Sequence, residues 1–164
     1  MVLASLILLL TFPVLIAAEP FSSSRETASA DPKKNGDKII IHYEARPKVV
    51  RPGDSGVIII RLETPKGIKL TRYPQTSIQL SGDSELILEE NMAKLGDAKM
   101  PDDIMKNALE KIDPVEFKFR IDEKAARDLI QVKASISYFY CETKSGLCAP
   151  GNKSINMQIP VKKR

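Results

Sequence analysis

The chain has 164 residues, enough for one domain of ordinary size, and its formal net charge at pH 7 is +4. The positive charges are scattered among negative ones rather than gathered in a basic block, which argues against nucleic-acid binding. His42 is the only histidine, so a histidine-rich metal site is excluded and His42 is best explained as an ordinary strand residue. No glycine-rich phosphate-binding loop occurs, and we expect neither a metal nor a small-molecule cofactor.

The first 18 residues have the character of a secretory signal peptide. Residues 2–18 (VLASLILLLTFPVLIAA) carry no charge and are followed by polar sequence. The run is also just long enough to cross a bilayer, so an uncleaved N-terminal anchor is the alternative. Residues 19–36 lack hydrophobic periodicity and predict a flexible lead-in. The sequence therefore predicts an exported protein, periplasmic or extracellular, with its folded domain at residues 37–164.

Beyond residue 37, short β-branched or alternating segments are separated by turn signals. The alternation is clearest in residues 115–121 (VEFKFRI), where apolar and charged side chains take turns. Many short strands at this spacing indicate an all-β fold, an immunoglobulin-like antiparallel β-sandwich. We expect strands at residues 38–45, 56–63, 67–71, 76–80, 85–89, 115–121, 131–141 and 154–161.

One segment departs from the strand pattern. In residues 102–112 (DDIMKNALEKI) the apolar side chains fall on one face of a helix, two acidic residues open it, and Pro114 follows it. The sequence therefore predicts one short helical insertion, which would pack on the sheet or act as a mobile flap because three turns are marginal alone.

The two cysteines of the chain, Cys141 and Cys148, have six residues between them and lie between the last two predicted strands. An even pair in an exported protein predicts a disulfide. Gly146 and the Pro150-Gly151 pair predict turns around Cys148, so the cysteines should lie at the tip region of a hairpin.

The alternation of the preceding strand predicts where Cys141 points. If Tyr138 and Tyr140 face the core, Cys141 shares the outward face with Phe139. An outward disulfide beside an aromatic ring that can shield it is placed for attack by another thiolate. Among the nearby charges, Lys144 would favour a thiolate and Glu142 would oppose it.

The hairpin resembles a known family. The residues SYFYC (137–141), a loop ending in GLC (146–148) and a strand ending in IPV (159–161) resemble the N-terminal domain of the thiol:disulfide interchange protein DsbD and related exported domains. The segment GIKLTRYP (67–74) is similar to another part of that family. The resemblance covers roughly residues 37–161. It implies an immunoglobulin-like domain whose cysteines pass electrons to periplasmic disulfide proteins.

The resemblance also implies roles and partners. Cys148 would form the mixed disulfide and Cys141 would resolve it. The implied partners are thioredoxin-fold or other periplasmic disulfide proteins. Since no electron-donor region follows the hairpin in this sequence, the donor would be a separate membrane or soluble protein. The family's aromatic cap over the cysteines has no counterpart in residues 91–114, which contain no Phe or Tyr.

Two functions follow as hypotheses. One is an extracytoplasmic thiol–disulfide exchange domain, with protein-disulfide reductase or interchange activity at Cys141 and Cys148 and with Phe139 as a shielding aromatic. The alternative is a non-enzymatic exported β-sandwich for binding or assembly, in which the disulfide clips the hairpin and contributes about 2–3 kcal/mol.

Overall fold

The computed structural model describes residues 37–103 and 106–163, and nine β-strands account for nearly all regular structure there. The predicted signal peptide and lead-in lie outside the described residues. Within the described part of the chain, no helix is long and apolar enough to cross a membrane.

The strands follow one another from β1 near the start of the domain to β9 at its end. They are β1 (Ile40–Arg46), β2 (Ser55–Glu63), β3 (Ile68–Leu70), β4 (Thr76–Gly82), β5 (Leu86–Leu88), β6 (Met92–Leu95), β7 (Val115–Ile121), β8 (Leu129–Glu142) and β9 (Cys148–Pro160).

The strands form two antiparallel sheets. One sheet has the order β1-β2-β7-β5. In the other, β9 pairs with β8 along almost its whole length, so β3 and β4 share the opposite edge of β8, and β6 lies beside β4. The groups β1-β2-β7 and β4-β8-β9 correspond to the A-B-E and C-F-G strands of immunoglobulin domains. The predicted all-β, immunoglobulin-like sandwich is confirmed.

Period-two alternation fills the space between the sheets. Alternate residues of β7 and β8 are buried while their neighbours are exposed or half-buried. Phe117 and Phe119 are 2% exposed, and the buried residues of both sheets form one continuous apolar cluster. The core residues from β7 and β8 are Phe117, Phe119, Ile121, Ile130, Val132, Ala134, Ile136 and Tyr138.

The β8–β9 hairpin is longer than the sequence predicts. The last strand starts at Cys148 instead of residue 154, although Pro150 and Gly151 predict a turn. Hydrogen bonds from Glu142 N to Leu147 O (2.8 Å) and, at the other end, from Val161 N to Asp128 O (2.8 Å) place Pro150 at a non-hydrogen-bonded position of this register. Its missing N–H would therefore point away from β8, so the proline costs no ladder hydrogen bond.

The predicted helical insertion at residues 102–112 is wrong in the described residues, where only Lys106 has helical character, in a 3₁₀ turn. Instead the chain runs extended along β3. Leu109 N donates to Leu70 O (2.8 Å), and an isolated bridge joins Ala108 to Thr71. Of the described residues in the apolar pattern, Leu109 and Ile112 do pack against the core. The edge of β3 that is not paired with β8 offers backbone partners to this segment, which override a weak helix propensity.

Gly151 is required by its neighbour across the ladder. Tyr138 is its register partner, and a Cβ on Gly151 would lie 2.5 Å from the ring of Tyr138, a residue that is only 8% exposed.

We predict that Gly151→Ala lowers the free energy of unfolding by about 1–3 kcal/mol, because a buried ring must shift. Urea denaturation measures this loss. In a Tyr138→Leu background the same substitution should cost much less, and an equal cost in both backgrounds would contradict the explanation.

Candidate functional site

The β8–β9 register brings the two cysteines together. Cys141 and Cys148 are direct register partners, form a disulfide and have Cα atoms 4.0 Å apart. Because the next pair, Glu142 and Leu147, is hydrogen-bonded, the cysteines occupy a non-hydrogen-bonded position, where side chains of antiparallel strands come closest. Gly146 in the connecting loop has φ +71°, a left-handed conformation that favours glycine.

The disulfide lies on the face of β8 opposite the core, as the alternation predicts. Tyr138 is buried, whereas Cys141 is half-buried and Cys148 is exposed. Cys148 is therefore the more accessible of the two to another molecule. A disulfide is typical of proteins in oxidising compartments, so this bridge indicates an extracytoplasmic location.

A cavity of about 520 Å³ opens over the disulfide, and we call it the disulfide groove. Its floor is the outward face of β3 and the hairpin, and its walls come from the chain after β3 and from the segment that includes Met100 and Ala108. Most of the lining is apolar, which suits contact with another protein or peptide better than with a small polar solute. The lining residues the site depends on are Lys69, Thr71, Tyr73, Pro74, Met100, Asn107, Ala108, Phe139, Cys141 and Cys148.

Phe139, the aromatic residue predicted to shield the disulfide, lies two positions before Cys141 on the same face of β8. Its side chain is half-buried and lines the disulfide groove together with Cys141 and Cys148. The three site residues that the sequence predicts therefore line one groove.

A second aromatic, Tyr73, was not predicted as a site residue. It is 36% exposed and forms part of the groove wall. The Asn107 side chain holds it like a paired strand, because its Oδ1 accepts from Tyr73 N (2.9 Å) and its Nδ2 donates to Tyr73 O (2.7 Å). The sequence feature that points to Tyr73 is the GIKLTRYP segment (67–74), which resembles part of the DsbD family. The resemblance does not indicate that this segment lies near the cysteines.

The charge of Glu142, next to Cys141 in sequence, is compensated. Its Oε1 forms an ion pair with Lys38 Nζ (2.6 Å), and its Oε2 accepts from Ser145 Oγ (3.0 Å). These two hydrogen bonds, that from Lys38 first, lower the pKa of Glu142, and the bond to Glu142 raises the pKa of Lys38. Lys38 Nζ also lies 5.4 Å from the centre of the Tyr140 ring. The carboxylate therefore belongs to the Tyr140 side of the strand.

Possible second sites among the described residues would involve metal ligands, the single histidine or another concavity. No group of three or more His, Cys, Asp or Glu in the described residues is placed to hold a metal ion. His42 is an exposed strand residue whose Nε2 is 3.7 Å from Glu63 Oε2. A more polar concavity of about 660 Å³, near Glu89 and Glu90, has no cysteine or histidine in its lining.

No protein-family model matches the sequence, and no curated protein matches it significantly. Among solved structures, a conjugative transposon lipoprotein from Bacteroides eggerthii is 10% identical, with 76% of this chain and 98% of that chain covered and a TM-score of 0.41. A FixG-related protein from Vibrio parahaemolyticus is 4% identical, with 77% and 99% covered and a TM-score of 0.38. A cohesin module from a Clostridium perfringens family 33 glycoside hydrolase is 10% identical, with 77% and 97% covered and a TM-score of 0.40. All three TM-scores are below 0.5, so the fold is assigned from the strand order of this chain alone.

The Lys38–Glu142 pair predicts a pH-dependent stability. Because the native pKa of Glu142 is below its unfolded value of about 4.3, the pair stabilises the fold fully above that value, and its contribution is lost as pH falls through the native pKa. Glu142→Gln should therefore lower the urea midpoint at pH 7, and this difference from the wild type should disappear on acidification. Glu116→Gln removes an exposed strand carboxylate that forms no ion pair among the described residues and is the control. A Glu142→Gln difference that stays constant from neutral to strongly acidic pH would contradict the assignment.

Proposed function

We propose that this domain carries out thiol–disulfide exchange outside the cytoplasm, passing electrons between redox proteins through Cys141 and Cys148. The observation that carries the proposal is the position of the disulfide. It lies on the face of β8 opposite the core, in the floor of an open apolar groove, and one of its two cysteines is exposed. A bridge that served only the core would more naturally join the two sheets.

The exchange proceeds in two balanced steps. A partner thiolate attacks Cys148 Sγ, the Cys141–Cys148 bond breaks, and Cys141 leaves as a thiolate while a mixed disulfide forms. A second thiolate of the partner then attacks the partner's sulfur atom in the mixed disulfide, and Cys148 leaves as a thiolate. The partner now holds a disulfide, and both Cys141 and Cys148 are reduced. In the reverse direction the reduced pair delivers two electrons to a disulfide of another protein. Attack on Cys148 is favoured by its greater exposure.

The groove supplies the contact surface for this chemistry. Phe139 and Tyr73 contribute aromatic surface to the groove that both cysteines line, and Met100, another lining residue, is 54% exposed. An apolar surface of this kind can receive the cysteine-bearing segment of a thioredoxin-fold or other disulfide protein and exclude water from the reacting sulfurs. The resemblance of the hairpin to the DsbD N-terminal domain supports the same assignment.

A structural role for the disulfide is the second candidate. Its supporting observation is that Cys141 and Cys148 close the last register pair of a regular ladder, where a bridge clips the hairpin without distorting the pairing. In that case the protein is an exported binding or assembly module, and the disulfide groove binds a partner without electron transfer.

The reduction potential of the Cys141–Cys148 bond separates the two candidates. For exchange we predict a value of about −200 mV, whereas a structural bridge has a potential below about −300 mV. Equilibration with glutathione buffers of defined ratio, followed by alkylation of free thiols, measures it. A potential in the structural range would reject exchange and leave the fold assignment untouched.

A trapping experiment tests which sulfur reacts with the partner. Cys141→Ser leaves Cys148 without its resolving thiol, so we predict an accumulating mixed disulfide with an oxidised thioredoxin-fold protein, seen on a non-reducing gel. Cys148→Ser is the matched control and should give several-fold less adduct, because Cys141 is less exposed. If neither variant forms an adduct, the exchange assignment is wrong; if both do equally, the order of attack is wrong.

A further inference from the structure

We propose that Lys69 is a positioning residue of this site, whose ammonium group stabilises the thiolate that Cys141 becomes when the disulfide opens. The inference rests on the proposed exchange function and adds to it the group that makes Cys141 the better leaving sulfur. Lys69 lies in the GIKLTRYP segment (67–74), but the sequence does not relate it to the cysteines, and the cation that the hairpin itself suggests is Lys144.

The register of β3 against β8 places Lys69 beside Cys141. The two residues are direct partners in the ladder, and hydrogen bonds from Thr71 N to Phe139 O (3.0 Å) and from Thr143 N to Gly67 O (2.8 Å) fix the pairing on both sides. Directly opposed residues of antiparallel strands point to the same face, with Cβ atoms about 4.5–5.5 Å apart. Both side chains line the disulfide groove.

The charge of Lys69 is uncompensated in this groove. Among the lining residues in the described part of the chain, only Lys69 and Glu142 are charged, and Lys69 forms no ion pair with another described residue. Glu142 is one position further along β8, so alternation directs its carboxylate to the other face, where Lys38 pairs with it. Alternation therefore places Lys69 on the sulfur side of the strand, while the carboxylate of Glu142, a residue that also contributes to the groove lining, is paired with Lys38.

The neighbouring charges do not reverse this arrangement. Arg72 comes two residues after the end of β3, and its guanidinium donates hydrogen bonds to both carboxylate oxygens of Asp97, at 2.7 and 3.0 Å. Asp102 and Glu110, on the segment that forms the far wall, do not line the groove, and neither does Lys144.

The physical consequence concerns the leaving sulfur. When an attacking thiolate forms its bond to Cys148, the electron pair of the broken S–S bond remains on Cys141 Sγ. A nearby cation lowers the pKa of that thiol, and a thiol of lower pKa leaves faster. Lys69 thus directs attack to Cys148 in addition to the difference in exposure.

The decisive measurement is the pKa of Cys141 in the Cys148→Ser variant, where it is the only thiol, followed by thiolate absorbance near 240 nm as a function of pH. Lys69→Met, which keeps an unbranched side chain, should raise this pKa by about half a unit to one unit, a shift reduced from that of buried pairs because Lys69 is exposed. Lys69→Arg should restore it, and the matched control Lys144→Met should change it much less. In 1 M salt, where the screening length is about 3 Å, the Lys69→Met shift should shrink.

A second measurement uses the chain with its disulfide intact and so does not depend on a cysteine variant. Reduction of the disulfide by the neutral thiol 2-mercaptoethanol should be about two- to five-fold slower in Lys69→Met than in the wild type or in Lys144→Met. An unchanged pKa of Cys141 in Lys69→Met, or an equal shift in Lys144→Met, would overturn the inference while leaving exchange in place. Failure of the wild-type disulfide to exchange with any thiol or partner protein would reject the proposed function, and the pKa comparison would still decide whether Lys69 acts on Cys141.

Discussion

The β8–β9 ladder is the interaction on which both the fold and the candidate site depend. It runs from Leu129 and Pro160 to Cys141 and Cys148, and its inner side chains supply much of the buried cluster of the second sheet. A slip of one residue would turn the core side chains of β8 towards solvent and separate the cysteines. The apolar contacts that hold the ladder in register therefore also hold the two sulfur atoms opposite each other, so the disulfide needs no dedicated scaffold.

The groove above the disulfide depends on a second edge, that of β3. This strand is only three residues long, and an unpaired edge of this kind would be open to further pairing. The chain covers it with an extended segment, through hydrogen bonds between Leu109 and Leu70 and between Arg72 and Asn107. The Asn107 side chain then fixes Tyr73. The hydrogen bonds that cover the edge of β3 thus also hold the residues that form one wall of the disulfide groove.

How much the sequence predicts depends on the range of the interactions involved. Alternation within β7 and β8 correctly indicates the buried faces and the outward direction of Cys141, because period-two burial is local. The start of β9 is missed because Pro150 and Gly151 have the composition of a turn, and only the register of β8 explains why a proline and a glycine fit there. The helix prediction for residues 102–112 is wrong for a related reason. Apolar spacing indicates which side chains are buried, but it does not show that the backbone of this segment pairs with the edge of β3. Tyr73 is missed because it joins the hairpin residues in one groove only in the folded chain.

Strand alternation also sorts the charges around the sulfur atoms, which sequence proximity alone would misassign. Glu142 is the covalent neighbour of Cys141, yet its carboxylate pairs with Lys38 beside Tyr140. Lys69 is far away in sequence, yet it is the register partner of Cys141 and lines the same groove. Which charged groups share a face with a sulfur atom is thus decided by strand register and alternation, and not by distance along the chain. A short third strand paired to the end of a hairpin can therefore bring a lysine to the face of an outward disulfide, although Lys144 of the hairpin loop is the cation nearer in sequence.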